Sequence, residues 1–391
     1  MVQETECPAP SRRTMLKTGA GGALALLGQS FLSPLAWAQS DPRVARIVAD
    51  TISVDMHNHI RYPFARTPAD VKPDPVIDLP GQMKTAGLSA ICGAYCVDSN
   101  RDGGVGRPPQ PGDYYKFHIQ SLGYMDRLLE RSKMRRAFSL ADIKAAHGRK
   151  EPIVIQNSEG AQWIEGKIER VEEAYKRGLR HIQLVHQVHD PVASLGDIQD
   201  QKPTEYNGLT PLGANVIKEA NRLGMVVDMA HAHYLTVQGA LKVAQQPLIV
   251  SHTGLNSQIG KGTTSNNLMP RLASKEYAKA VADAGGIVGI WYLYPTLKAY
   301  VAEIKEMADT IGVDHVGLGS DTAIAPTILA PTNDGRGAEK VTNSIWPDEK
   351  GGFIYAVAAE MLAQGFQPEE ISKIAGGNYC RVFDKVTASR A

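Results

Sequence analysis

Five histidines, His57, His59, His186, His231 and His252, and two acidic residues, Glu159 and Asp321, set the chemical question. Each closes a short apolar run, in His57-Asn58-His59, Asn157-Ser158-Glu159-Gly160, Leu184-Val185-His186, Asp228-Met229-Ala230-His231, Ser251-His252 and Gly319-Ser320-Asp321. Neutral imidazoles suit transition metals, whereas magnesium and calcium favour all-oxygen sites. One histidine at a strand end is ordinarily a hydrogen-bonded, half-buried side chain. Five of them with two carboxylates, all at the same end of successive runs, are not accounted for in that way.

The elements that must position these groups are read from the runs themselves. Apolar stretches at 51–56, 88–95, 152–155, 181–185, 225–229, 248–250, 286–291 and 315–318 alternate with amphipathic segments such as 168–177, 213–223 and 275–284. Nearly continuous Val/Ile/Leu strands separated by helices predict a parallel sheet covered by helices. With eight such repeats the expected class is α/β, a closed (β/α)8 TIM-type barrel. In that architecture the carboxyl ends of all strands share one face, and residues far apart in sequence meet there. The alternative is an open doubly wound sheet, but no G-x-G-x-x-G follows the first strand.

Bulk properties bound the rest. The chain has 391 residues, 43% hydrophobic, with 42 Lys plus Arg against 41 Asp plus Glu. That balance lacks the basic excess of a nucleic-acid binder. The amino terminus carries Ser11-Arg12-Arg13-Thr14-Met15-Leu16-Lys17, a Gly/Ala-rich apolar stretch, then Ala36-Trp37-Ala38. The order matches a twin-arginine signal peptide over 1–38, cleaved after Ala38, which implies a periplasmic protein with no stable membrane span after processing. Residues 39–391 are then one barrel domain. Cys92, Cys96 and Cys380 remain, an odd number that builds no disulfide framework, and they are expected to be buried thiols.

From about Asp55 to Val386 the order and spacing of these motifs resemble the membrane (renal) dipeptidase family of metallopeptidases, a branch of the amidohydrolase-like barrels. Pro247-Leu248-Ile249-Val250-Ser251-His252, Asp314-His315-Val316-Gly317-Leu318-Gly319-Ser320-Asp321 and Gly377-Asn378-Tyr379-Cys380-Arg381-Val382 belong to the same set. The resemblance implies two zinc ions. His57 and His59 would hold one, His231 and His252 the other, with Glu159 bridging and a shared water as nucleophile. It makes His186 the non-ligand histidine that stabilises the oxyanion and Asp321 the acceptor of the water's proton. Arg271 would clamp the substrate carboxylate through its planar guanidinium, and Tyr294 is a further substrate-contacting candidate. A homodimer is also implied.

Two departures bear on this. The family has H-x-D after the first strand where this chain has His57-Asn58-His59, which removes one anionic ligand; Asp321 is expected to enter the coordination shell and restore the charge balance. The family's Phe-Asp-Gly after the last strand is replaced by Thr322-Ala323-Ile324-Ala325-Pro326. The long segments 98–113 and 322–352 leave strands on the active face, as lids or as loops packed aside. The leading function is zinc-dependent hydrolysis of a small peptide-like substrate, a dipeptide, with D-residues at its C-terminal position among the candidates. The alternatives are hydrolysis of another small amide, lactone or ester, and a periplasmic metal- or solute-binding protein without catalysis. His189, His233 and His315 are expected to play no part in the chemistry.

Overall fold

The computed structural model describes residues 41–60, 76–98, 110–187, 194–199, 202–258, 270–325, 340–349 and 351–389. The expected signal at 1–38, His189, and the greater part of the 98–113 loop lie outside these residues, as does 326–339.

Each of the eight apolar runs forms a strand: β1 (Val54–His59), β2 (Ala90–Cys96), β3 (Ile153–Glu159), β4 (Leu179–Gln183), β5 (Val226–Asp228), β6 (Ile249–Thr253), β7 (Ile287–Ile290) and β8 (Val316–Leu318). A ninth, two-residue strand, β9 (Thr322–Ala323), follows at once. The order is β8-β7-β6-β5-β4-β3-β2-β1-β9, and every pairing is parallel. Val288 pairs with Val316 at one end of the sheet and Asn58 with Thr322 at the other. Because β8 runs directly into β9, this one segment joins β7 to β1 and closes a TIM-type barrel.

Helices separate the strands because the sequence starts and stops them locally. Pro211–Leu223 begins with Pro at its first position and Thr210 accepting from Gly213 N, and it ends at Gly224 in the left-handed conformation. A side-chain cap of this kind contributes about 1 kcal/mol. Its Val216, Ile217 and Ala220 are buried with strand residues Ile91, Val154 and Val250 in the layer between sheet and helices. A second core lies inside the barrel. Val54, Met56, Cys92, Ile155 and Ile249, near the amino-terminal ends of their strands, pack with Tyr379 and Phe383 of the helix Asn378–Ala388. The last helix therefore covers the barrel mouth away from the chemistry.

Three strands carry an extra residue, β4 at Arg180 against β3, and β1 and β6, the two that hold site histidines. Asp55 and Asn58 of β1 stand opposite Ile91 and Gly93, and Val250 and Thr253 of β6 opposite Val288 and Ile290, so each has three steps against its neighbour's two. Bulges re-aim side chains and cluster beside active sites. These two fall at His57 and at Ser251-His252. Among the described residues, no helix is long and apolar enough to cross a membrane.

Candidate active site

The sequence places the chemical residues after the strands, but the strands run further. His57 and His59 are inside β1, Glu159 ends β3 and His252 is inside β6. Polar residues mask a strand's end in the sequence, yet in a barrel they continue the ladder with their side chains turned to the mouth.

Glu159 is the centre. Its Oε1 lies 3.6 Å from His57 Nε2, 3.2 Å from His186 Nε2 and 3.6 Å from His231 Nε2, and its Oε2 lies 3.9 Å from His59 Nε2. Asp321 Oδ1 is 2.7 Å from His59 Nε2 and 3.8 Å from His57 Nε2. His252 Nε2 is 2.9 Å from His231 Nε2, and its ring centroid is 4.2 Å from that of His57. All seven residues expected from the sequence meet here.

A metal fits this group. His57 Nε2 is buried with no hydrogen-bond partner, while two carboxylates stand 3.6 and 3.8 Å away. Those separations are too long for hydrogen bonds, but ligand atoms about 2.1 Å from a shared tetrahedral zinc would be roughly 3.4 Å apart. One donor atom each from His57, Glu159, His252 and Asp321 lies within 4.8 Å of all the others.

Protonation sorts the histidines. Burial pushes His57 down to about 4, and it holds His231 and His252 below the ordinary imidazole value as well. All three are therefore neutral near pH 7, the form that binds a metal. Burial acts on His186 too, but Asp98 and Glu159 outweigh it and raise its pKa. His186 is thereby set apart as the more readily protonated imidazole. Burial also opposes the charges of Glu159 and Asp321, yet the surrounding imidazoles hold both carboxyls well below their usual range.

The backbone is left-handed at two of these positions. His231 has φ +65° and Asp321 φ +51°, left-handed values that few side chains other than Asn, Asp and His adopt readily. Buried carboxylates brace the frame. Asp55 accepts from Ser320 N at 2.8 Å, Ser320 Oγ at 2.6 Å and Asn58 Nδ2 at 2.8 Å. Asp228 accepts from Ala230 N and Ser251 N, both at 2.9 Å, and meets His181 Nε2 at 3.0 Å. Ser251 Oγ in turn contacts His252 Nδ1 at 2.9 Å.

The remaining candidates divide. Arg271 is buried, and its backbone carbonyl accepts from Thr253 Oγ1 at 3.2 Å, next to His252 in β6. Tyr294 packs beside the end of β6. Its side chain is buried against Glu303, with its hydroxyl over Gly254 and its backbone carbonyl held by Trp346 Nε1 at 2.8 Å. His233 caps the helix Tyr234–Val243, and His315 Nδ1 meets Gly286 O at 2.8 Å at the start of β8, both apart from the site.

Two residues were missed. Cys96, expected to be a buried thiol and found buried, is also paired in register with Glu159 and has its Sγ 3.1 Å from His186 Nδ1. Asp98, expected only to begin a loop, is fully buried with Oδ1 2.6 Å from the same nitrogen. The one signal for Asp98 was its place just beyond the second strand.

Fold and site together define a TIM-type barrel with a His/carboxylate cluster at the carboxyl-terminal mouth. Residues 42–391 match the family model for membrane dipeptidase, peptidase family M19, and the chain belongs to that family. It is similar to the dipeptidase tcpJ of Claviceps purpurea (strain 20.1), with 24% identity over 286 residues, 68% of this chain and 59% of that protein. The chain thus spans about three fifths of the length of this curated relative. In structure it resembles an amidohydrolase from Pseudomonas aeruginosa, with TM-score 0.69, 19% identity and coverage of 91% of this chain and 100% of that one. It also resembles a metallo peptidase from Rhodobacter sphaeroides liganded with a phosphinate mimic of the dipeptide L-Ala-D-Ala, with TM-score 0.66, 19% identity and coverage of 86% and 100%.

Proposed function

We propose that this protein is a zinc-dependent dipeptidase, with dipeptides bearing a C-terminal D-residue among its substrates, acting in the periplasm after twin-arginine export. The observation that carries the reading is His57 Nε2, buried without a partner and facing the carboxylates of Glu159 and Asp321 at 3.6 and 3.8 Å. His57, His59 and Asp321 would hold one ion, His231 and His252 a second, with Glu159 between them. Two carboxylates then face two divalent ions, and Asp321 makes good the anionic ligand that His59 does not supply. When bound, such ions acidify water to a pKa of about 7 and polarise a carbonyl.

The chain's own groups do the rest. Arg271 presents a planar cation to the substrate carboxylate, a fork-like pairing that fixes the scissile bond in place. His186 directs Nε2 into the site and donates to the oxygen that becomes negative during attack. Asp321 accepts the proton of the attacking water and returns it to the leaving amine. The bound ligand of the Rhodobacter sphaeroides protein, a mimic of L-Ala-D-Ala, supports starting with that substrate.

Elemental analysis of the purified protein, paired with L-Ala-D-Ala hydrolysis before and after chelation, tests this. About two zincs per chain and turnover lost on chelation and regained with zinc are expected. Turnover indifferent to chelation would overturn the proposal.

A further inference from the structure

Asp98 is a fully buried carboxylate outside the set assigned to metal, and a buried charge persists only when it is well paired. Its Oδ1 meets His186 Nδ1 at 2.6 Å and Cys96 Sγ at 3.0 Å. Its Oδ2 accepts from Gln187 N at 3.0 Å and Gln162 Nε2 at 2.9 Å. The residue stands just beyond β2, and His186 stands beyond β4. Together these contacts tie two strand ends across the intervening β3 and leave the carboxylate little freedom to turn.

The consequence falls on one ring. An imidazole pivots about its side-chain bonds unless one nitrogen is held, and a partner on the far nitrogen sets both the ring plane and the tautomer. With Nδ1 held by Asp98, Nε2 points to Glu159 Oε1 at 3.2 Å, into the cluster. We infer that Asp98 is the positioning residue for His186, acting from behind the ring to aim Nε2 at the reacting carbonyl. Gln162 and Gln187 hold the carboxylate, and the carboxylate holds the ring. The inference rests on the proposed role of His186 in peptide hydrolysis for its effect on rate, while the geometry itself needs no substrate.

The test uses the zinc-loaded protein and the variants Asp98→Asn, His186→Ala and the double substitution. Asp98→Asn is expected to lower kcat on L-Ala-D-Ala by about ten- to a hundred-fold, with KM and zinc content little changed. In the His186→Ala background it should cause no further loss, because two residues acting as one unit are not additive. Independent, multiplying losses would overturn the inference, and so would loss of zinc in Asp98→Asn, which would put Asp98 in the service of the metal. A second arm needs neither catalysis nor the folding of Asp98→Asn. In wild-type protein with 15N-labelled histidine, the His186 ring, assigned against His186→Ala, should carry a proton on each nitrogen, the one on Nδ1 in a short, downfield-shifted hydrogen bond to Asp98 and the one on Nε2 free to be donated. A ring protonated on Nε2 alone would overturn the inference. An absence of dipeptide turnover in wild type would sink the proposed function instead and leave this nitrogen signature intact.

Discussion

The amide of Asp321 donates to the backbone carbonyl of His57 at 2.9 Å, and the side chains of the same two residues face each other with Nε2 and Oδ1 3.8 Å apart. The bond that helps to close the barrel is therefore also the one that spaces two candidate ligands. Separation of the first strand from the last would open the site as it opened the ring. Asp55 reinforces the joint by accepting from both Ser320 N and Ser320 Oγ.

Asp321→Asn isolates chemistry from backbone. At φ +51° most residues would be strained, but Asn tolerates the left-handed region nearly as well as Asp. The fold should persist while proton transfer and one anionic ligand are lost. A fall in kcat of about 10²- to 10⁴-fold with an unchanged circular dichroism spectrum is expected. Steady-state kinetics with half or more of the activity retained would remove Asp321 from the mechanism.

Arg271→Ala should act on substrate binding through its charge. For dipeptides with a free C-terminal carboxylate, kcat/KM is expected to fall roughly 10- to 100-fold, the cost of a charged hydrogen-bonded contact. A C-terminally amidated dipeptide should show little difference between variant and wild type. Equal losses on both substrates would assign Arg271 to the fold rather than to the clamp.

Glu303 connects stability to pH. Burial raises its carboxyl from 4.5 to about 8, against the hydrogen bond from Leu255 N at 2.6 Å. Between those values the folded protein holds a proton on Glu303 that the unfolded chain has released, so this group's contribution to stability falls as pH rises from about 4.5 to about 8. Glu303→Gln keeps a carbonyl for Leu255 N and removes the ionisation. Its melting temperature should exceed that of wild type most at pH 8 and above, by a few degrees. Parallel curves for the two proteins from pH 5 to 9 would exclude a protonated Glu303.

Gly319→Ala probes the closure. A Cβ there would stand 1.8 Å from Ser251 O and 3.2 Å from His252 Cβ, with backbone that cannot swing aside. A destabilisation of at least about 1–3 kcal/mol is expected, the usual range for overpacking, read by denaturant unfolding. Zinc affinity should drop with it, because the clash pushes on the bulge that carries His252. Wild-type stability and zinc binding in the variant would show that β6 and β8 yield at this point.

The sequence alone determined the eight strands, their alternation with helices and the end at which chemistry gathers. Apolar periodicity records burial, and in a closed parallel barrel burial and topology are nearly the same statement. It also brought together His57, His59, Glu159, His186, His231, His252 and Asp321, since a barrel converts a position at a strand end into a position around a ring. Only the tertiary structure decided how those residues face. The extra residues in β1 and β6 are visible only when two strands are laid side by side, and the left-handed backbone at His231 and Asp321 is permitted by those residue types but not dictated by them. Tyr294 carried a suitable hydroxyl and a suitable place in the chain, yet packing turned it to Glu303. Asp98 and Cys96 looked like the start of a loop and a core thiol, and they became partners of His186 because β2 and β4 flank β3. A residue's distance from a strand end can be read along the chain, but the company it keeps across the barrel depends on three-dimensional contacts that no local pattern encodes.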